Sequence, residues 1–137
     1  MIIKTKNYQT STTHQLSKQL MALGLSNLFN PSIAFLDRLT VVAFRAIDKS
    51  SKSQKIEAFV AFFTESNTCL DLFSLSEYAY QRGIAKAADP KLFKRKHDGS
   101  VWLTFNTGYV QSGNELYVMQ IYPHLEEPRR CLLPTRM

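Results

Sequence analysis

What most limits this chain is a succession of short β-branched and aromatic runs, broken by polar turns and begun twice by the same signal. From Asn30 it reads NPSIAF, LDR, LTVVAFRAI, then the polar loop DKSSKSQK, IEAFVAFF, TESN and TCLDLFSL. Runs of this length and composition fit strands, and connections this short fit hairpins. After a connector, SEYAYQRGIAKAA, the order restarts. PKLFKR, a KHDG turn whose Asp-Gly pair favours a hairpin, VWLTFNTGY, the turn VQSGN, ELYVMQIYP and RCLLP follow in turn. Pro31 and Pro90 stand 59 residues apart, one preceded by Asn and the other by Asp. Phe44 and Phe105 follow their prolines at similar distances, and Ile56 and Leu116 begin the third run of each half. A unit of four antiparallel strands repeating at this interval is the pattern of a β-propeller blade. Eight short strands in a β-sandwich would share the spacing, and the in-register X-Pro pairs favour blades.

The expected fold is mainly β: two consecutive four-stranded antiparallel propeller-like blades preceded by an N-terminal helix. The helix is predicted over residues 11–25, STTHQLSKQLMALGL, with Ser11, Thr12 or Thr13 as cap and Gly24 as terminator. Leu16, Leu20 and Leu23 would form its apolar face. The chain divides into a helical segment at 1–28, a first blade with its connector at 29–86, and a second blade at 87–137.

At 137 residues, 45% hydrophobic and 20% charged, the chain suits one compact domain and not a disordered segment. No apolar run approaches the ~20 residues of a spanning helix, and the start lacks the pattern of a secretory signal. Cys69 and Cys131 lie too far apart for metal-ligand spacing, so two buried, reduced thiols in a cytoplasmic protein are expected. The three histidines show no ligand spacing either, and neither metal nor cofactor is indicated. Seventeen Lys and Arg against 11 Asp and Glu give a net charge of +6, which suits an anionic partner without specifying one. The basic clusters at 48–55 and 91–97 read first as solvated hairpin loops.

NPSIAF…LTVVAFRA followed by ADPKLF…GSVWLTFNTG…GNELYVMQI resembles the first two blades of the five-bladed β-propeller carbohydrate-active enzymes, the group of mannoside phosphorylases, arabinanases and fructan hydrolases. The resemblance covers about residues 29–130. It implies a central sugar funnel lined by the blade openings, with Asn30 and Arg45 facing it from the first blade. Asp89 would stand at the mouth of the second blade as the acidic residue bearing on the glycosidic bond. Lys91 takes the place where the family has Arg. Trp102 and Asn106 complete the expected sugar contacts. Such chemistry needs a carboxyl group to protonate the leaving oxygen and a second group to deliver the nucleophile. In a phosphorolytic version Arg45 and Lys91 would hold the phosphate.

The chain departs from that family in having Asn30 where hydrolases carry a second carboxylate, and in offering two blades where a closed propeller needs at least about four. Two functions therefore stand side by side. One is a glycoside hydrolase or phosphorylase present as an incomplete unit; the other is a non-catalytic glycan- or protein-binding module that keeps the blade fold. Each residue also has a plainer reading. Asp89-Pro90 and Asn30-Pro31 are good turn initiators, Arg45 suits a strand end, and Trp102, Phe105, Phe59, Phe62 and Phe63 suit a core. The expected partner is a carbohydrate or sugar phosphate, with homo-oligomerisation as a means of supplying missing blades. A single-stranded nucleic-acid binder ranks third.

Overall fold

Short aromatic and β-branched runs between turns give strands here as expected, and the strands pair in strict chain order. The computed structural model describes residues 15–52, 54–108 and 113–131. Helix α1 occupies 15–22. After it come β1 (Leu25–Phe35), β2 (Leu39–Asp48), β3 (Ile56–Thr64) and β4 (Cys69–Ser74), then helix α2 (Leu75–Tyr80). β5 (Ala88–Lys94), β6 (Val101–Asn106), β7 (Leu116–Tyr122) and β8 (Arg129–Arg130) complete the order. Two four-stranded antiparallel sheets result, ordered β1-β2-β3-β4 and β5-β6-β7-β8, and neither closes on itself.

The two sheets share one register. Ile33 pairs with Val42 as Leu92 pairs with Leu103, and Ala34 with Val41 as Phe93 with Trp102. Phe44 pairs with Phe59 as Phe105 pairs with Tyr117, and Val60 with Phe73 as Val118 with Arg129. By this pairing Phe44 and Phe105 are counterparts. Leu116 answers to Ala58, opposite Arg45, and not to Ile56, because the first hairpin is longer.

Some boundaries differ from expectation. The helix stops at residue 22, short of the predicted 25, with Gly24 taking φ +98 just beyond it as the expected terminator, while its cap positions and His14 lie outside the described residues. Leu16 and Leu20 are buried while Leu23 is 55% exposed, so the packed stripe stops one turn early. β1 begins at Leu25, inside the segment assigned to the helical head. The connector contains α2, capped by Ser74, whose side chain accepts from Glu77 N. β8 consists of Arg129 and Arg130, and residues 132–134 of the predicted run RCLLP lie outside the described residues. Cys69 and Cys131 are unbridged and half-buried rather than buried, and burial pushes the Cys69 thiol pKa up.

Two apolar layers fix the stacking. Leu16 and Leu20 of α1 pack on Val42, Phe44, Phe59, Ala61 and Phe63, one face of the first sheet. Gln19 pins the helix there, its Oε1 accepting from Cys69 N at 2.8 Å and its amide donating to Asn67 O. The other face, with Ala34, Val41, Ala43, Ala58 and Val60, meets Leu103, Phe105 and Met119 of the second sheet, with Leu75 and Ala79 of α2 filling in. Leu103, Phe105 and Met119 are the counterparts of Val42, Phe44 and Ala61. The sheets therefore stack front to back, helix then sheet then sheet. Phe59, Phe63 and Phe105 join the core as expected, Phe62 packs at its margin, and Trp102 sits half-exposed on the outer face of the second sheet.

Candidate functional site

The first strand of each sheet carries an Asx-Pro pair in a β-bulge, mid-strand in β1 and at the start of β5. Register skips one residue between Phe29–Arg45 and Ser32–Ala43 in the first sheet, and between Ala88–Asn106 and Lys91–Thr104 in the second. Proline costs no ladder bond at a bulge, since it has no N–H to lose. Asn30 and Asp89 take φ +59 and +50, a left-handed conformation that Asn and Asp enter more readily than other side-chain-bearing residues. The bulge turns each side chain away from the ladder toward the neighbouring sheet.

β1 and β5 run beside one another and are joined at three levels. Asn30 Nδ2 donates to Asp89 Oδ1 at 3.0 Å. Leu92 N donates to Ser32 Oγ at 2.9 Å, and Lys94 Nζ to Phe35 O at 3.3 Å. Asp89 Oδ2 accepts in turn from Asn106 Nδ2 at 3.1 Å, and Asn106 Oδ1 accepts from Gly108 N at 2.8 Å. Each carboxylate oxygen of Asp89 thus has one amide donor. A carboxylate oxygen has two lone pairs, so both oxygens keep capacity for a further donor. Asp89 is exposed, and the two asparagines are half-buried.

Three of the six residues singled out from sequence, Asn30, Asp89 and Asn106, are therefore brought into one hydrogen-bonded cluster spanning both sheets. Arg45 stands beside it, opposite Phe29 on the neighbouring strand, its guanidinium carbon 5.4 Å from the Phe29 ring centre. Its Nε is buried without a hydrogen-bond partner among the described residues. Lys91 and Trp102 lie further along the outer face of the second sheet. Trp102 Nε1 donates to Ser100 Oγ at 2.8 Å, its ring stacks on Phe93 at 6.5 Å, and Arg95 lies 5.3 Å from the ring centre.

Residues that sequence reading passed over also gather here. Lys86 Nζ lies over Gly108, 3.4 Å from where a Cβ would stand, which brings a cation to the Asn106 end of the cluster. Phe93 and Arg95 flank Trp102. The alternation KLFKR was legible as a strand, but nothing in it says which side of the strand faces water.

Compared with protein-family models, with curated proteins and with solved structures, the chain has no match in any of the three. Among the described residues no helix is long and apolar enough to cross a membrane.

Proposed function

We propose that this chain is a carbohydrate-recognising protein built from two consecutive propeller-type blades, an incomplete propeller unit, with the Asn30–Asp89–Asn106 cluster as its sugar contact. The observation that carries the reading is the double anchoring of Asp89 by one amide from each sheet. A carboxylate fixed in this way presents open lone pairs in set directions, and the neighbouring amides add donors and acceptors of their own. Vicinal hydroxyls, which both donate and accept, are matched by such a group. Anchoring before the ligand arrives also lowers the ordering cost of binding.

Asp89→Asn tests this. Asn tolerates the left-handed backbone, so the variant keeps its fold while losing the charged acceptor. Titration of the whole chain with manno- and arabino-oligosaccharides, followed by NMR shifts, is expected to show binding that the variant weakens roughly tenfold or more. Unchanged affinity in the variant would remove Asp89 from the site.

Glycosidic cleavage or phosphorolysis is the second reading, and Arg45 favours it. Arg45 is half-buried beside the cluster, and the terminal nitrogens of its guanidinium would pair with phosphate there. In that case Asp89 acts as the acid and Asp89→Asn abolishes turnover of aryl glycosides. A chain that binds sugars and releases no aglycone, with or without added phosphate, is the binding module.

A further inference from the structure

The outer face of the second sheet repeats positions that are covered in the first, yet carries different side chains. Where the first sheet has Ala34, Val41 and Ala43 against its neighbour, the second has Phe93, Trp102 and Thr104. Ala58 and Phe62 are answered by Leu116 and Gln120. Larger residues thus stand where Ala34, Val41 and Ala58 admit a neighbouring sheet, and Phe93 remains 43% exposed.

Register sorts this face into rows across the strands. Asn106 and Leu116 form the first, beside Asp89. Lys91, Thr104, Val118 and Arg129 form the second, one residue from each strand. Phe93, Trp102 and Gln120 form the third, with Arg95 over the Trp102 ring. Successive rows stand about 7 Å apart along a strand. Lys91 and Arg129 have no partner among the described residues, whereas Arg82 and Arg130 are paired with Glu127 and Glu115. No acidic residue stands in the second row, while at the third Asp98 lies 3.9 Å from Arg95.

We propose that this face binds an acidic oligosaccharide, one bearing carboxylate or sulfate groups, that runs from the Asn30–Asp89–Asn106 cluster to the Phe93–Trp102 pair. The inference rests on the carbohydrate reading of that cluster. A sugar ring at the first row meets amides and a carboxylate acceptor. The next unit lies over Lys91 and Thr104, where Lys91 pairs with its anionic group and Arg129, three strands away, adds to the positive field. A third stacks its apolar face on the paired rings. A second copy of this chain fits the face poorly, because Lys91, Arg95 and Arg129 would meet their own kind across a two-fold interface. An anionic partner with flat faces meets both the charge and the rings.

The test compares oligogalacturonate with a neutral manno-oligosaccharide of equal length on the full chain, by calorimetry at low and high salt. Oligogalacturonate is expected to bind about fivefold tighter at low salt, an advantage lost at high salt. Lys91→Gln with Arg129→Gln, both exposed positions, should erase the low-salt advantage of oligogalacturonate over the neutral sugar, weakening the acidic sugar more than the neutral one. Equal affinities, unmoved by the double variant, overturn the inference and leave the carbohydrate reading standing. Failure of both sugars to bind overturns both. Tighter binding of oligothymidylate, lost in the same variant, overturns the inference in favour of a single-strand nucleic-acid face.

Discussion

Asn30 and Asp89 hold left-handed backbones at matched points of two bulges, and each spends its side chain on the link between sheets. An ordinary L-residue pays roughly 1–2 kcal/mol for that conformation. Asp89→Val is therefore expected to lower unfolding stability by at least about that amount, and Asp89→Gly to cost less, as denaturant titration of the pair would show. That Asx precedes proline at both bulges was legible, whereas the hydrogen bonds that join Asn30, Asp89 and Asn106 across the sheets were not. The backbone of Asn30 and Asp89 was not legible either, because proline ordinarily drives its predecessor into extended conformations and only the bulge reverses the preference. In the β5–β6 turn, Asp98 Oδ1 accepts from Ser100 N at 3.0 Å and Ser100 Oγ at 2.6 Å. Those bonds hold its pKa below the ordinary carboxylate value. The stability it contributes is thus present above the unfolded-chain pKa and lost as pH falls through the lower folded value. Thermal melts across the acid range should show a decline that Asp98→Asn makes shallower.

At the scale of elements, most strands were legible because alternation and turn chemistry agreed, down to the Asp98-Gly99 pair of the β5–β6 turn. The connector was not. α2 has only six residues, too few for a periodic signal, and it forms because Leu75 and Ala79 find the core while Ser74 caps the start. Ser76 then ties it to β3: its Oγ accepts from the N–H of Ala58, a wholly buried residue, at 2.8 Å. Ser76→Ala would leave that N–H without an acceptor, at a cost of about 1–3 kcal/mol. Hydrogen exchange at Ala58 should accelerate more than at its neighbours. Ser74→Ala, which removes a cap and orphans no core group, is expected to cost about 1 kcal/mol. An equal loss from both would show that Ser76 serves the helix alone.

For the molecule as a whole, one core is built from both sheets and α2, so neither sheet buries its inner face alone. Leu103, fully buried at the centre of that core, tests the consequence. Leu103→Ala should cost about 2–5 kcal/mol, and fluorescence of Trp102 and far-ultraviolet dichroism should lose structure in a single shared transition. Two separated transitions would mean that the sheets fold independently. Composition and spacing foretold two sheets but not their stacking sense, since the apolar faces of both halves read alike until register shows which one each sheet turns to the other. That sense gives the assembly a polarity. Front-to-back stacking has no symmetric midpoint, and a repeat of this kind has two unlike ends. α1 occupies the front of the first sheet with Leu16 and Leu20, and so works as a stopper at one end. A chain shortened to begin at Gly24 would uncover Val42, Phe44, Phe59 and Phe63 together, a face wide enough to recruit another molecule. Light scattering should then report a larger mass than the full chain gives: with the far end closed to another sheet, two uncovered fronts would meet each other, and the helix, eight described residues long, would mark the difference between a single molecule and one half of a pair.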